Sequence, residues 1–136
     1  MTQEDKELLY KDLCARLPYG VVLDSPNPVD DLWDEAISID ASTKTVTLLY
    51  NERVFYIDEV KPYLLPLSSM SEEQEREYNT LRDFVYTHHY EHEDIVEDMG
   101  LYDNWRSIDY LNANHFDYRG LIEKGLAIDA TGLNIY

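Results

Sequence analysis

Apolar residues in the first twenty positions fall at a helical spacing. Leu9, Leu13 and Leu17 recur every four residues, with Tyr10 and Cys14 beside them, which predicts a helix over 2–17 with one buried stripe. Thr2 is placed to cap it, with Asp5 three residues on, and Glu4, Asp5 and Glu7 complement the positive end of the helix dipole. Pro18 and Gly20 then stop it. The period changes after that. Tyr19–Leu23 reads as a short strand, and Asp24-Ser25-Pro26-Asn27-Pro28 as a loop forced by two prolines. Ala36–Ile39 and Thr45–Tyr50 are β-prone runs separated by residues 40–44, the length of a hairpin loop, with Val46, Leu48 and Tyr50 alternating against Thr45, Thr47 and Leu49. Asn51-Glu52 marks a second turn and Arg53–Ile57 a further strand. Lys61–Leu67 is apolar but carries Pro62 and Pro66, and reads as an extended crossing segment or edge strand.

A helical period returns at Ser71, whose pairing with Gln74 is a capping box. Tyr78, Leu81, Phe84 and Val85 continue that face to about His88 or Tyr90. Gly100 reads as a helix stop, Asp103 as the cap of a third helix through Trp105, Ile108 and Leu111, and Asp117 as the cap of a fourth over 118–124, closed by Gly125. Arg119 and Glu123 would pair on its exposed side. The expectation is an α+β fold in a single small domain, 1–136: helix 2–17, an antiparallel meander of three to four strands over 19–67, a helical part over 71–125 and a tail over 126–136.

Charge narrows the function classes. The 136 residues hold 28 acids and 11 bases, a net charge of −17, with no basic half. Such a chain repels nucleic acid and anionic membrane, so neither is an expected partner. A hydrophobic share of 44% is too high for a disordered acidic tail. The lone cysteine, Cys14, excludes an intrachain disulfide and reads as a small core residue in a reducing compartment. There is no run of about 18 apolar residues and no basic, apolar leader at Met1, so a cytoplasmic protein is expected.

Two stretches concentrate the acids without any Lys or Arg. Residues 24–40 carry Asp24, Asp30, Asp31, Asp34, Glu35 and Asp40, and residues 91–103 carry Glu91, Glu93, Asp94, Glu97, Asp98 and Asp103. The first does not fit a calcium loop, since residues 24–35 lack the required Gly and hold two prolines. There is no phosphate-binding Gly-rich loop and no G-x-S-x-G. His88, Glu91 and His92 match H-x-x-E-H, in which two histidines on one helical face hold zinc and the glutamate polarises a water. A third ligand would have to come from neighbouring acids. The alternative is a helix end whose histidines offset those acids, and no cofactor or metal is assigned. Tyrosine is abundant at 12 residues. Its half-polar ring suits an interface, although Tyr10, Tyr50, Tyr56 and Tyr78 also suit the rim of a small core.

Three stretches carry a resemblance: residues 11–21 (KDLCARLPYGV), 60–70 (VKPYLLPLSSM) and 115–127 (HFDYRGLIEKGLA). They resemble short acidic proteins of phages, prophages and mobile elements of gut bacteria. That family has no assigned activity, so the resemblance implies a bacterial host cytoplasm and transfers no site residue. The histidine motif lies outside the three stretches.

The sequence therefore points to a non-enzymatic interaction module with an acidic, tyrosine-rich surface, including the variant in which its carboxylates imitate DNA. The expected contact residues are Asp30, Asp31, Trp33, Asp34 and Glu35 in one run, and Glu91, Glu93, Asp94, Glu97 and Asp98 in the other. The partner class is a protein with a basic surface, such as a nucleic-acid-binding protein. A metal-dependent hydrolase at 88–92 and a structural subunit of an assembly are the alternatives.

Overall fold

The computed structural model describes residues 1–26, 33–88 and 96–136, with side chains at all of these except 51, 83–88 and 96–104. The first helix, α1, spans Gln3–Arg16, and its N-terminus is closed as expected: Asp5 N–H donates to Thr2 Oγ1 at 3.1 Å and Thr2 N–H to Asp5 Oδ2 at 3.3 Å. Leu9 and Leu13 are wholly buried, each removal from water being worth about 2–3 kcal/mol. Cys14, expected in the core, is exposed instead. It lies about 100° round the helix from Leu13, off the stripe that the four-residue spacing defines. A 3-10 turn over Leu17–Tyr19 follows, and Gly20 reverses the chain at φ 78°, where a Cβ would run into the Glu35 carboxylate.

Strands β1 (Val22–Asp24), β2 (Asp34–Asp40), β3 (Thr45–Leu48) and β4 (Val54–Tyr56) pair antiparallel in sequence, the expected meander. Val46 and Leu48 point into the core. Ser38, Thr47 and Val54 form one row of the register, and Asp40, Thr45 and Tyr56 another. Val54 and Tyr56 are exposed there, Tyr56 by 60%. A bulge between Ala36 and Ser38 breaks the alternation and leaves Ile37 in solvent.

The proline-interrupted segment is not an edge. It is β5 (Lys61–Pro66), with β1 antiparallel to its start and two C-terminal strands parallel to the rest. Pro62 and Pro66 are four apart, so their missing donors lie on one side of the strand. Leu65 N–H, on the other, donates to His115 O at 2.8 Å. The sheet is thus mixed and seven-stranded, in the order β4-β3-β2-β1-β5-β6, with β7 also on β5.

Helix α2 spans Glu72–His88 and carries the Ser71–Gln74 capping box, with bonds of 3.1 and 3.0 Å. It packs on α3, Val96–Ala113. Gly100 lies within α3 rather than ending it; one glycine costs about 1 kcal/mol, too little to break a helix of 18 residues. The fourth helix expected after Asp117 does not form. Phe116–Asp117 is β6, and turns lead on to β7, Ile128–Asp129. The Asp117 carboxylate does accept from Leu121 N–H and Ile122 N–H at 3.0 Å each. However, pairing with β5 fixes Asp117 as extended, and the few residues from Gly120 to Gly125 are too short for an independent helix.

The core joins Leu9 and Leu13 of α1 to Val21, Leu23, Val46, Leu48 and Leu64 of the sheet and to Leu121 and Leu126 of the C-terminal turns. At its margin lies a fully buried ion pair. Arg16 Nε donates to Asp12 Oδ2 at 2.7 Å, and Arg16 Nη2 to the Phe116 carbonyl at 2.7 Å. Arg119, expected to face Glu123, turns inward instead, with Nε 3.4 Å from Asp12 Oδ1. Both guanidinium groups sit over the Tyr118 ring, at 5.3 and 4.8 Å. Burial holds the Asp12 carboxyl above its ordinary value, and the two arginines offset only part of that rise. Removing one member of such a pair strands the other charge. Arg16→Ala is expected to lower stability by about 3–5 kcal/mol in urea denaturation, against less than about 0.5 kcal/mol for the exposed Lys124→Ala.

Candidate interaction surface

The arginines are unevenly placed. Asp12 takes Arg16 and Arg119, and a second buried acid, Asp34, takes Arg53 at 3.6 Å. Three of the six arginines thus serve acids inside the molecule, and among the described residues the carboxylates outside outnumber the remaining bases.

The clearest external concentration is on α2. Glu72, Glu73, Glu75 and Glu77 are all exposed, with Arg76 among them. The first-turn acids belong there because they complement the helix dipole. Glu73 and Glu77 lie four apart, hence on one helical face, and they line a groove of about 620 Å³ with Arg76, Thr80, Leu81 and Tyr110 of α3. Tyr110 Oη donates to Glu77 Oε2 at 2.9 Å, with Gln74 O 3.4 Å away. Burial and the adjoining Glu77 push its hydroxyl up to about 12, so it remains a donor at neutral pH. The groove therefore has a carboxylate fixed by a tyrosine, a second carboxylate one turn away and an apolar wall at Leu81. That suits a lysine or arginine side chain with its aliphatic stem. On α3, Trp105 and Ile108 are exposed one turn apart.

The expected contact residues are distributed differently. Trp33 is exposed, with its ring edge-on to Tyr63 at 6.4 Å. Asp34 is buried: Oδ1 accepts from Glu35 N–H at 3.0 Å and Tyr50 N–H at 3.1 Å, so it organises the β2–β3 end rather than a partner. Glu35 is half-buried beside Gly20. Asp30, Asp31, Glu91, His92, Glu93 and Asp94 lie outside the described residues, and the side chains of His88, Glu97 and Asp98 are not described. Among the described residues no three His, Cys, Asp or Glu side chains are grouped to hold a metal. The α2 acids were visible in the sequence as Glu72-Glu73-Gln74-Glu75-Arg76-Glu77, where the expectation drew only on the Ser71–Gln74 capping box. The i,i+4 spacing of Glu73 and Glu77 was the signal for a shared face.

A second strongly perturbed place is His115, in a left-handed conformation at φ 64° and stacked on Tyr136 with ring centroids 3.5 Å apart. Tyr136 Oη donates to Tyr63 O at 2.7 Å and accepts from Val22 N–H at 3.1 Å, fastening the last residues to β1 and β5.

The chain matches no protein-family model, no curated protein and no solved structure. No helix among the described residues is long and apolar enough to cross a membrane.

Desolvation, and then Arg16, hold His115 down to about 4 from its ordinary 6.5. The unfolded chain takes up that proton near pH 6.5 while the folded one stays neutral. The contribution of His115 to stability is therefore complete above pH 6.5 and drains away as the pH falls towards 4. Allowing for its partial exposure, the loss is about 2 kcal/mol. His115→Asn, which tolerates the left-handed backbone, is expected to show a shallower fall of stability than the parent chain across that window in urea titrations.

Proposed function

We propose that the protein is a non-enzymatic interaction module that docks a basic surface of a partner protein through its acidic exterior. The observation that carries this reading is the inward direction of Arg16, Arg53 and Arg119 together with the exposed carboxylates of α2. A net charge of −17 speeds encounter with a basic partner and disfavours acidic ones. The Glu73–Glu77 groove accepts a basic side chain, and the exposed Trp105 and Ile108 of α3 supply apolar interface area. A partner that itself binds nucleic acid meets these requirements, and the module would then act as a DNA mimic by occupying that partner's phosphate-binding face. The phage- or mobile-element-like setting in a bacterial cytoplasm belongs to the same proposal and rests on the sequence resemblance.

Affinity capture from a bacterial lysate, followed by binding measurements on the purified partner, tests this. The partner should be basic, and its affinity should fall by about tenfold or more between 50 and 300 mM salt. Glu73→Lys/Glu77→Lys should weaken it by a similar factor while leaving the fold unchanged. For the mimic, duplex DNA should displace the module competitively. A partner that stays bound regardless of salt and of the two reversals refutes the reading.

A further inference from the structure

The exterior is acidic, yet three of the five lysines of the chain meet at one place. Lys6 and Lys11 come from α1, and Lys44 from the β2–β3 turn. With Tyr10, Tyr56 and Asp58 they line a cavity of about 570 Å³. That is within the range of small-molecule sites and too small for a folded partner.

Each lysine is held differently. Lys44 Nζ lies 3.6 Å from the centre of the Tyr10 ring, which fixes its ammonium over α1. Its backbone takes φ 55°, a left-handed position that glycine or asparagine would occupy with less strain, so the turn keeps a lysine at a conformational cost. Lys6 is 3.4 Å from Asp58, and both side chains remain more than a third exposed. Lys11 has no acidic partner among the described residues and is exposed. The Tyr56 ring is also largely in solvent.

We infer that this cavity binds a small organic phosphate carrying a planar ring and hydroxyl groups, of nucleoside-monophosphate type. The lining supplies lysines and no arginine. Ammonium groups are point charges that suit a tetrahedral anion, whereas a planar carboxylate is better matched by a guanidinium fork. The exposed face of Tyr56 stacks the ring. Glu7 and Asp58, the two carboxylates of the lining, accept from hydroxyls. The overall negative charge does not prevent this, because at physiological salt the field of distant carboxylates is screened within about 8 Å. This site stands apart from the α2 face and does not depend on the role proposed for it.

The test is titration of the isotopically labelled protein with 5′-AMP, adenosine and inorganic phosphate, followed by amide chemical shifts and calorimetry. AMP should saturate with a dissociation constant below about 1 mM, shifting amides around Lys6, Lys11, Lys44 and Tyr56, with adenosine and phosphate at least about tenfold weaker. Lys11→Glu, at an exposed side chain, should weaken AMP by about tenfold or more. Lys44→Asn separates binding from structure: it relieves the backbone, so melting temperature should hold or rise while AMP binding is lost. Absence of saturation up to about 5 mM AMP overturns the inference, as does unchanged AMP binding in both variants. Phosphate binding as tightly as AMP overturns the ring-bearing class.

Discussion

The Asp12–Arg16 pair is the constraint on which the two ends of the chain depend. Arg16 sits at the last turn of α1 and bonds both to its own helix and to the Phe116 carbonyl, a hundred residues on. Its guanidinium is completely buried, and a desolvated charge of that kind is tolerable only when its partners are fixed in place. The partners are fixed by tertiary structure: Phe116 by its pairing with Leu65, Asp12 by the helix, and Arg119 and Tyr118 by the turns after β6. A single charge thereby holds α1, β5 and the C-terminal turns in one register. Its positive field also contributes to keeping His115 neutral.

The same internal chemistry shapes the exterior. Arginines committed to Asp12 and Asp34 are not available to neutralise the glutamates of α2, while the lysines, which tolerate burial less well and stay hydrated, remain outside. Three lysines share one cavity and four glutamates share the first two turns of α2. The surface is accordingly not a uniform acidic coat. It has an acidic helical face with a groove, and a separate cationic recess between α1 and the sheet.

Local signals were legible where a capping box or an apolar period closes within three or four residues. The Thr2–Asp5 and Ser71–Gln74 boxes, the Leu9–Leu13 stripe and the Val46–Leu48 alternation appear where the spacing puts them. Asp117 shows the boundary of that approach. Its carboxylate makes cap-like bonds to Leu121 and Ile122, but pairing with β5 decides that turns follow rather than a helix. Pro62 and Pro66 misdirected the reading of β5 because a proline excludes only its own donor, and the sheet can be arranged so that this donor is not needed.

For the candidate surfaces the same division holds. The sequence by itself determined an α+β chain, two capped helices, the antiparallel meander and a large excess of acid, since these follow from local periodicity and from counting. Only the tertiary structure decided that Asp34 is an internal anchor, that Glu73 and Glu77 border a groove with Tyr110, and that Lys6, Lys11 and Lys44 line one cavity. Burial and convergence depend on contacts between distant segments. A carboxylate looks the same in a sequence whether it meets water, a guanidinium or two backbone amides.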